Sequence, residues 1–152
     1  MSAQLVPVEE RELDDFVALF DDYRHELDFY HSSAPDVLPI QLYRDALYRD
    51  PGEQELLWIE LDGVRAGFLL LRAFEDWPDP TRTVVDIAEC YVVPRFRRRG
   101  IGRAAIEALL ARERARETSL VEASVLRGNE TALAFWQSLG FTSHSIRTAR
   151  QP

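Results

Sequence analysis

Val92-Val93-Pro94-Arg95-Phe96-Arg97-Arg98-Arg99-Gly100-Ile101-Gly102 joins a run rich in β-branched residues to an amphipathic stretch, and its reading decides the fold. Pro94 cannot donate to a ladder, so it stops the strand expected from Arg82 to Val93. Glycines at 100 and 102 let the backbone approach a ligand, and the unpaired N–H groups of the next helix's first turn point at whatever lies there. Such a turn binds phosphate. Arg97, Arg98, Arg99 and Arg103 add charge and forked donors at the same spot. The spacing does not match G-x-G-x-x-G, and no lysine follows to make a Walker loop.

Beyond the turn, Gly100 to about Thr118 carries Gly102, Ile106, Leu109 and Leu110 on one stripe, which predicts an amphipathic helix. Leu120 to Leu126 reads as a strand broken at Arg127-Gly128-Asn129. Thr131 to Leu139 reads as a helix ended by Gly140, and Phe141 to Arg147 as a last strand. Upstream, Gln4 to Pro7 reads as a strand and Glu9 to Phe29 as a helix with Leu13, Phe16, Val17, Phe20, Tyr23 and Leu27 at helical spacing. A shorter helix is expected over Ile40 to Tyr48. Glu55 to Leu61 and Val64 to Ala73 flank Asp62-Gly63 and predict an antiparallel hairpin. A loop over Glu75 to Thr81 should follow. The order β-α-α-β-β-β-α-β-α-β implies an α/β fold with a mixed sheet and helices on both faces.

Length bounds the rest. A chain of 152 residues with 46% hydrophobic residues is the size of one domain, so 1–152 is read as a single unit. The start MSAQLVPVEE lacks a basic n-region and an apolar h-region, and no stretch nears the roughly 20 apolar residues of a membrane span. A cytoplasmic protein without a membrane partner is expected. One cysteine, Cys90, and three scattered histidines exclude a structural zinc site, and no metal is expected. All eighteen basic residues are arginine, which removes P-loop, kinase-type and Schiff-base lysine chemistry. The net charge of −8 argues against nucleic acid as a partner. Yet Arg95 to Arg103 contain no acid, a pattern suited to a compact anion such as a pyrophosphate.

Val92-Val93-Pro94-x-x-Arg97-x-x-Gly100-Ile101-Gly102 resembles the acetyl-coenzyme A (acetyl-CoA) motif of the GNAT acetyltransferases. Asn129-x-x-Ala132-x-x-Phe135-Trp136-x-x-Leu139-Gly140-Phe141 resembles the later motif of that family, at the customary distance. The resemblance implies N-acetyl transfer from acetyl-CoA to a primary amine by direct attack in a ternary complex. It also implies a splayed parallel strand pair that receives the pantetheine arm. Backbone contacts to that arm fall to Tyr91, Val92 and Val93, and cofactor contacts to Arg97, Arg98, Arg99, Gly100, Ile101, Gly102, Arg103, Asn129 and Trp136. Asn129 is equally read as a plain helix N-cap. Relatives are often homodimers.

Catalysis by the resemblance needs a base, a polarised carbonyl and a leaving thiolate. Main-chain N–H groups of Val92 or Val93 are the expected oxyanion donors. Glu89 is the candidate base, roughly 13 Å along the strand from Val93, while Asp86 falls on the opposite parity to Glu89. Tyr91 is the substitute acid, because Trp136 stands where many relatives carry a tyrosine and an indole N–H is no acid at neutral pH. Cys90 alternates with Glu89 and Tyr91 in an apolar run, which disfavours a covalent acetyl-cysteine. Asp21, Asp22, Glu26 and Asp28, with Tyr23, Phe29, Tyr30 and Trp77, suggest a cationic small-molecule acceptor, and the resemblance puts His25 and His31 on or after the helix where family members often build the acceptor site. Two other readings are a GNAT-fold acyl-CoA sensor without turnover and a protein or peptide amine as acceptor.

Overall fold

The computed structural model describes residues 2–31, 38–49 and 52–152, the side chain of His31 excepted. Two compact units divide the chain: residues 1–13 with 51–124, and residues 14–50 with 125–152.

The first unit is built on a five-stranded sheet ordered β1 to β5: β1 Gln4–Pro7, β2 Gln54–Leu61, β3 Val64–Asp76, β4 Asp79–Val92 and β5 Leu120–Ala123. Four strands run antiparallel as sequential neighbours, and β4 pairs with β5 in parallel. The mixed α/β architecture read from the sequence is therefore present. β2 and β3 meet at Asp62-Gly63, where both residues adopt positive φ, as a two-residue hairpin turn demands. Leu57, Trp58, Ile59, Phe68, Leu69, Leu71 and Ile87 are almost fully buried, so the central strands read as continuous apolar runs.

Two expectations about β3 and β4 change. The loop over residues 75–81 shrinks to a turn at Trp77-Pro78, because Asp79 accepts from Thr81 N (3.0 Å) and Oγ1 (2.6 Å) and Arg82 Nε reaches Asp76 at 2.8 Å. Those bonds carry the ladder past the prolines. Second, one extra residue of β4 is inserted where Leu70 faces Glu89 but Leu71 faces Ile87, leaving Ala88 as a β-bulge.

The third helix of the chain, α3 Ile101–Ala115, buries Ile101, Ala105, Ile106 and Leu109 and packs along β1 and β4. Its end is fastened. Glu113, 3% exposed, accepts from Arg112 Nε (2.8 Å) and Thr118 Oγ1 (2.7 Å), and Arg112 in turn makes a bidentate bond to Glu55 of β2 (2.9 and 2.8 Å). Glu117 takes positive φ while Thr118 N donates to Glu113 O, which ends α3 three residues before the expected Thr118.

The second unit holds α1, which starts at the boundary and spans Leu13–His31, α2 Ile40–Arg49 and α4 Glu130–Ser138. Phe20 contacts the rings of Tyr23 and Tyr43, Arg24 lies 4.5 Å from the Tyr43 ring centre, and Arg44 pairs with Asp21. The expected strand over Phe141 to Arg147 does not form, and β5 ends at Ala123 rather than Leu126. Phe141 packs on Trp136, whereas residues 142–152 are exposed, and the one large apolar side chain among them, Ile146, is 91% exposed. Without an apolar face to bury, such a stretch does not hold a strand. Among the described residues no helix is long and apolar enough to cross a membrane.

Candidate functional site

β4 is the element from which the site grows. Its ladder with β5 runs from Val84↔Leu120 to Ile87↔Ala123 and stops, while β4 itself continues to Val92 on its other neighbour, β3. The bulge at Ala88 sits where the two strands part, and a bulge bends its strand. Past Ile87 the ladder with β5 is not continued, and no other described strand pairs with that side of β4.

Which groups line that edge follows from alternation. Val93 N donates to Ala66 O at 2.8 Å on the β3 side, so Val93 is excluded as an oxyanion donor. The N–H of Val92 and both main-chain groups of Cys90 turn the other way, to the open edge. Val92 O also faces that way, and it accepts from Arg97 Nε at 2.7 Å.

The turn after β4 takes left-handed backbone at two positions. Pro94–Phe96 form one 3-10 turn, Arg98 takes φ 60 and Gly100 takes φ 76 at the N-cap of α3. A non-glycine residue in the left-handed region costs about 1–2 kcal/mol, so Arg98 is held there by its surroundings. The first intrahelical bond runs from Ala104 N to Gly100 O at 2.9 Å, which leaves the N–H groups of Ile101, Gly102 and Arg103 aimed out of the helix end. No acid stands in the first turn of α3 to oppose its dipole. Arg98, Arg99 and Gly100 are exposed, Arg103 is held 3.5 Å from Glu107, and Ile101 is buried as the anchor of the turn.

Arg97 differs from its neighbours. It is partly buried, bonded to Val92 O, and its guanidinium carbon lies 5.3 Å from the ring centre of Tyr91. Tyr91 is buried and packs on Phe68 at 5.7 Å. Its ring is therefore enclosed between a phenyl group and a cation.

The bulge corrects the expected parity on β4. Glu89 faces Leu70 and Asp86 faces Arg72, two residues apart on β3, so Asp86 and Glu89 lie on one face, with Tyr91. Glu122 of β5 stands beside Asp86 in register. Burial raises the Asp86 carboxyl above its ordinary range, and Arg72 only partly opposes this. Cys90 lies on the other face, opposite Leu69. Burial first, and the Glu89 carboxylate second, push its thiol up to about 12, so it is protonated at neutral pH.

Asn129 and Trp136 belong to the second unit. Asn129 Oδ1 accepts from Ala132 N at 3.2 Å, the N-cap geometry. Trp136 is buried between Phe135 (5.1 Å) and Phe141 (5.0 Å). In the same unit α1 and the start of α2 border a cleft of about 330 Å³ lined by Arg24, His25, Asp28, Leu38, Pro39 and Ile40. His25 Nδ1 lies 2.8 Å from Asp21 O, Asp21 is taken up by Arg44, and the His31 side chain lies outside the described residues. Phe29 is 80% and Trp77 90% exposed. Among the described residues no three His, Cys, Asp or Glu side chains are grouped to hold a metal.

Sequence reasoning missed Gly67. It stands opposite Val92, and a lone glycine inside a strand pattern is the signal that marks such a close approach.

The comparisons agree with this frame. A ribosomal-protein-alanine N-acetyltransferase from Brucella melitensis biovar Abortus 2308 matches with TM-score 0.72 and 20% identity over 99% of each chain. An aminoglycoside acetyltransferase from an uncultured soil metagenomic sample matches with TM-score 0.68 and 15% identity over 99% of this chain and 96% of that one. An acetyltransferase of Trypanosoma brucei gives TM-score 0.68 and 22% identity over 99% and 100%. At these identities the structures share the fold alone. No curated protein matches. The profile of the acetyltransferase (GNAT) family matches residues 15–141, both motifs included, and the chain belongs to that family.

Proposed function

We propose that this protein is an N-acetyltransferase, acting as a single cytoplasmic domain, that transfers an acetyl group from acetyl-CoA to a primary amine of a small molecule. The observation that carries the reading is the open edge of β4 running directly into an arginine-rich helix N-terminus. A pyrophosphate fits the N–H groups of Ile101, Gly102 and Arg103 and the guanidinium groups of Arg98, Arg99 and Arg103. An extended pantetheine arm fits the edge beyond Ile87 as an added strand does. Its thioester carbonyl then meets Val92 N–H as oxyanion donor, an arrangement worth roughly 10²–10³ in rate.

Glu89 acts as general base on the attacking ammonium, directly or through water. The nitrogen attacks the thioester carbon, the C–S bond breaks, and CoA leaves as a thiolate that takes up a proton. A thiol of pKa about 8.5 leaves without obligatory acid help, so the buried Trp136 at the usual tyrosine position does not forbid the reaction. Tyr91, enclosed by Phe68 and Arg97, serves as substrate wall and support in preference to acid.

The test is a melting-temperature shift with acetyl-CoA, followed by amine-dependent thiol release over polyamines, aminoglycosides, amino-acid amides and peptide N-termini. Binding with turnover of a small amine supports the reading; turnover of peptide amines alone moves the acceptor to protein. Glu89→Gln is expected to slow transfer most at low pH, and an unchanged pH–rate profile removes Glu89 from the mechanism.

A second reading, an acyl-CoA sensor without turnover, is favoured by one observation: the residue at the sequence position where many relatives carry a tyrosine is Trp136, a buried indole. Acetyl-CoA binding without thiol release from any amine would establish it. Elution as a homodimer, measured by light scattering, is expected for either.

A further inference from the structure

The Val92–Val93 peptide is clamped at both ends. Its carbonyl accepts from Arg97 Nε at 2.7 Å and its N–H donates to Ala66 O at 2.8 Å. Two hydrogen bonds on opposite sides of one peptide plane fix the torsions on either side of it, and the preceding N–H of Val92 inherits that orientation. Arg97 is itself immobilised by the face of Tyr91, 5.3 Å away, and Tyr91 by Phe68. Backbone N–H of Arg97 donates to Pro94 O at 3.1 Å, so the same residue begins the turn that leads to Arg98 and Gly100.

Five arginines, Arg95, Arg97, Arg98, Arg99 and Arg103, stand in this segment's motif and first helical turn, and Arg97 points back to the main chain of the strand. The charge of a phosphate ligand would be useful at any exposed position. An inward, half-buried guanidinium that spends its Nε–H on a main-chain carbonyl is placed for geometry. We propose that Arg97 is a positioning residue: it holds the end of β4 so that Val92 N–H faces the thioester oxygen, and it ties that donor to the diphosphate-binding turn. The inference rests on the acetyl-CoA reading above, and it separates Arg97 from Arg98, Arg99 and Arg103, which bind charge.

The chemistry of the side chain makes this testable. Lysine keeps the positive charge but has neither the Nε–H beside a planar group nor a face to lay on an aromatic ring. A phosphate-binding role survives Arg97→Lys; a positioning role does not. Purified full-length wild type, Arg97→Lys, Arg97→Met and Arg99→Gln would be compared for CoA affinity by calorimetry, for kcat with the amine found active, and for the backbone ¹⁵N–H resonance of Val92 with CoA against acetyl-CoA.

In wild type the Val92 resonance should move between CoA and acetyl-CoA, the two differing only by the acetyl group. Both Arg97 variants should lose that difference and lose about tenfold or more in kcat, in line with a misplaced donor, while holding CoA within about threefold. Arg99→Gln should do the reverse for the ligand, with weaker CoA binding and the Val92 response to acetyl-CoA still present at saturation. Wild-type kcat and a wild-type Val92 response in Arg97→Lys would overturn the proposal, and so would a tenfold loss of CoA affinity in that variant. A wild type that fails to bind CoA at all sinks the acetyl-CoA reading instead, a result distinct from either. The amide spectrum needs no acceptor amine, so the positioning role is decided even for a protein that never turns over.

Discussion

Gly67 lies against Tyr91 so closely that a methyl group on its Cα would stand 1.9 Å from the Tyr91 carbonyl oxygen. No contact of that length exists between carbon and oxygen, and the obstacle is backbone, so β3 and β4 must move apart to admit any side chain. Gly67→Ala is expected to cost about 3 kcal/mol or more in a urea unfolding midpoint, at the upper end for overpacking. Gly63→Ala, at φ 78 with open space around it, should cost only the left-handed penalty of about 1 kcal/mol. Equal losses in the two variants would mean that the strands can part at Gly67 without consequence.

Cys90 provides a check on direct attack. Its thiol is pushed up to about 12, so alkylation at pH 8 should be slow in the folded protein and fast in urea. Cys90→Ala should keep acetyl transfer and its pH profile. Loss of turnover in that variant, with CoA binding intact, would restore a covalent acetyl-cysteine.

Asp86 should make stability depend on pH in a known direction. Burial raises its folded-state pKa, with Arg72 of β3 opposing, and Glu89 of β4 and Glu122 of β5 share its face. A carboxyl raised on folding costs nothing below its unfolded pKa, near about 3.9, and the cost grows as pH rises through the folded value. Asp86→Asn should therefore melt higher than wild type at pH 7, with the difference closing toward pH 3.5. A gain that is largest in acid would show that Arg72, and not burial, governs this group.

Glu113 anchors α3 to the sheet. Removing a buried carboxylate that serves Arg112, Arg116 and Thr118 should cost about 3 kcal/mol in Glu113→Ala, toward the lower end for a broken buried pair. Glu55→Ala, with a half-exposed side chain, should cost less than half as much. If urea titrations rank them the other way, the clamp belongs to β2.

Most of the helices and strands could be read before any coordinates, because their signals are local. Asp62-Gly63 specifies its own turn, Pro94 ends its own strand, and the stripe of α3 needs only its 3.6-residue period. The last strand fails for the converse reason: Phe141 to Arg147 has apolar side chains only at Phe141 and Ile146, and a strand needs a neighbour and something to bury. At the candidate site, the order of strand end, arginine turn and helix start from Tyr91 to Arg103 is legible in the motif, whereas the parity of Asp86, the engagement of Val93 N–H and the inward turn of Arg97 do not appear in any spacing.

Sequence alone determined that a strand, an arginine-rich glycine turn and a helix follow one another here, since proline, glycine and hydrophobic period act over a few residues. Tertiary structure decided where the β4–β5 ladder stops, which residue bulges, and which main-chain N–H is left facing the open edge. Those depend on the register against β3 and β5, and register is a property of two strands that neither carries by itself.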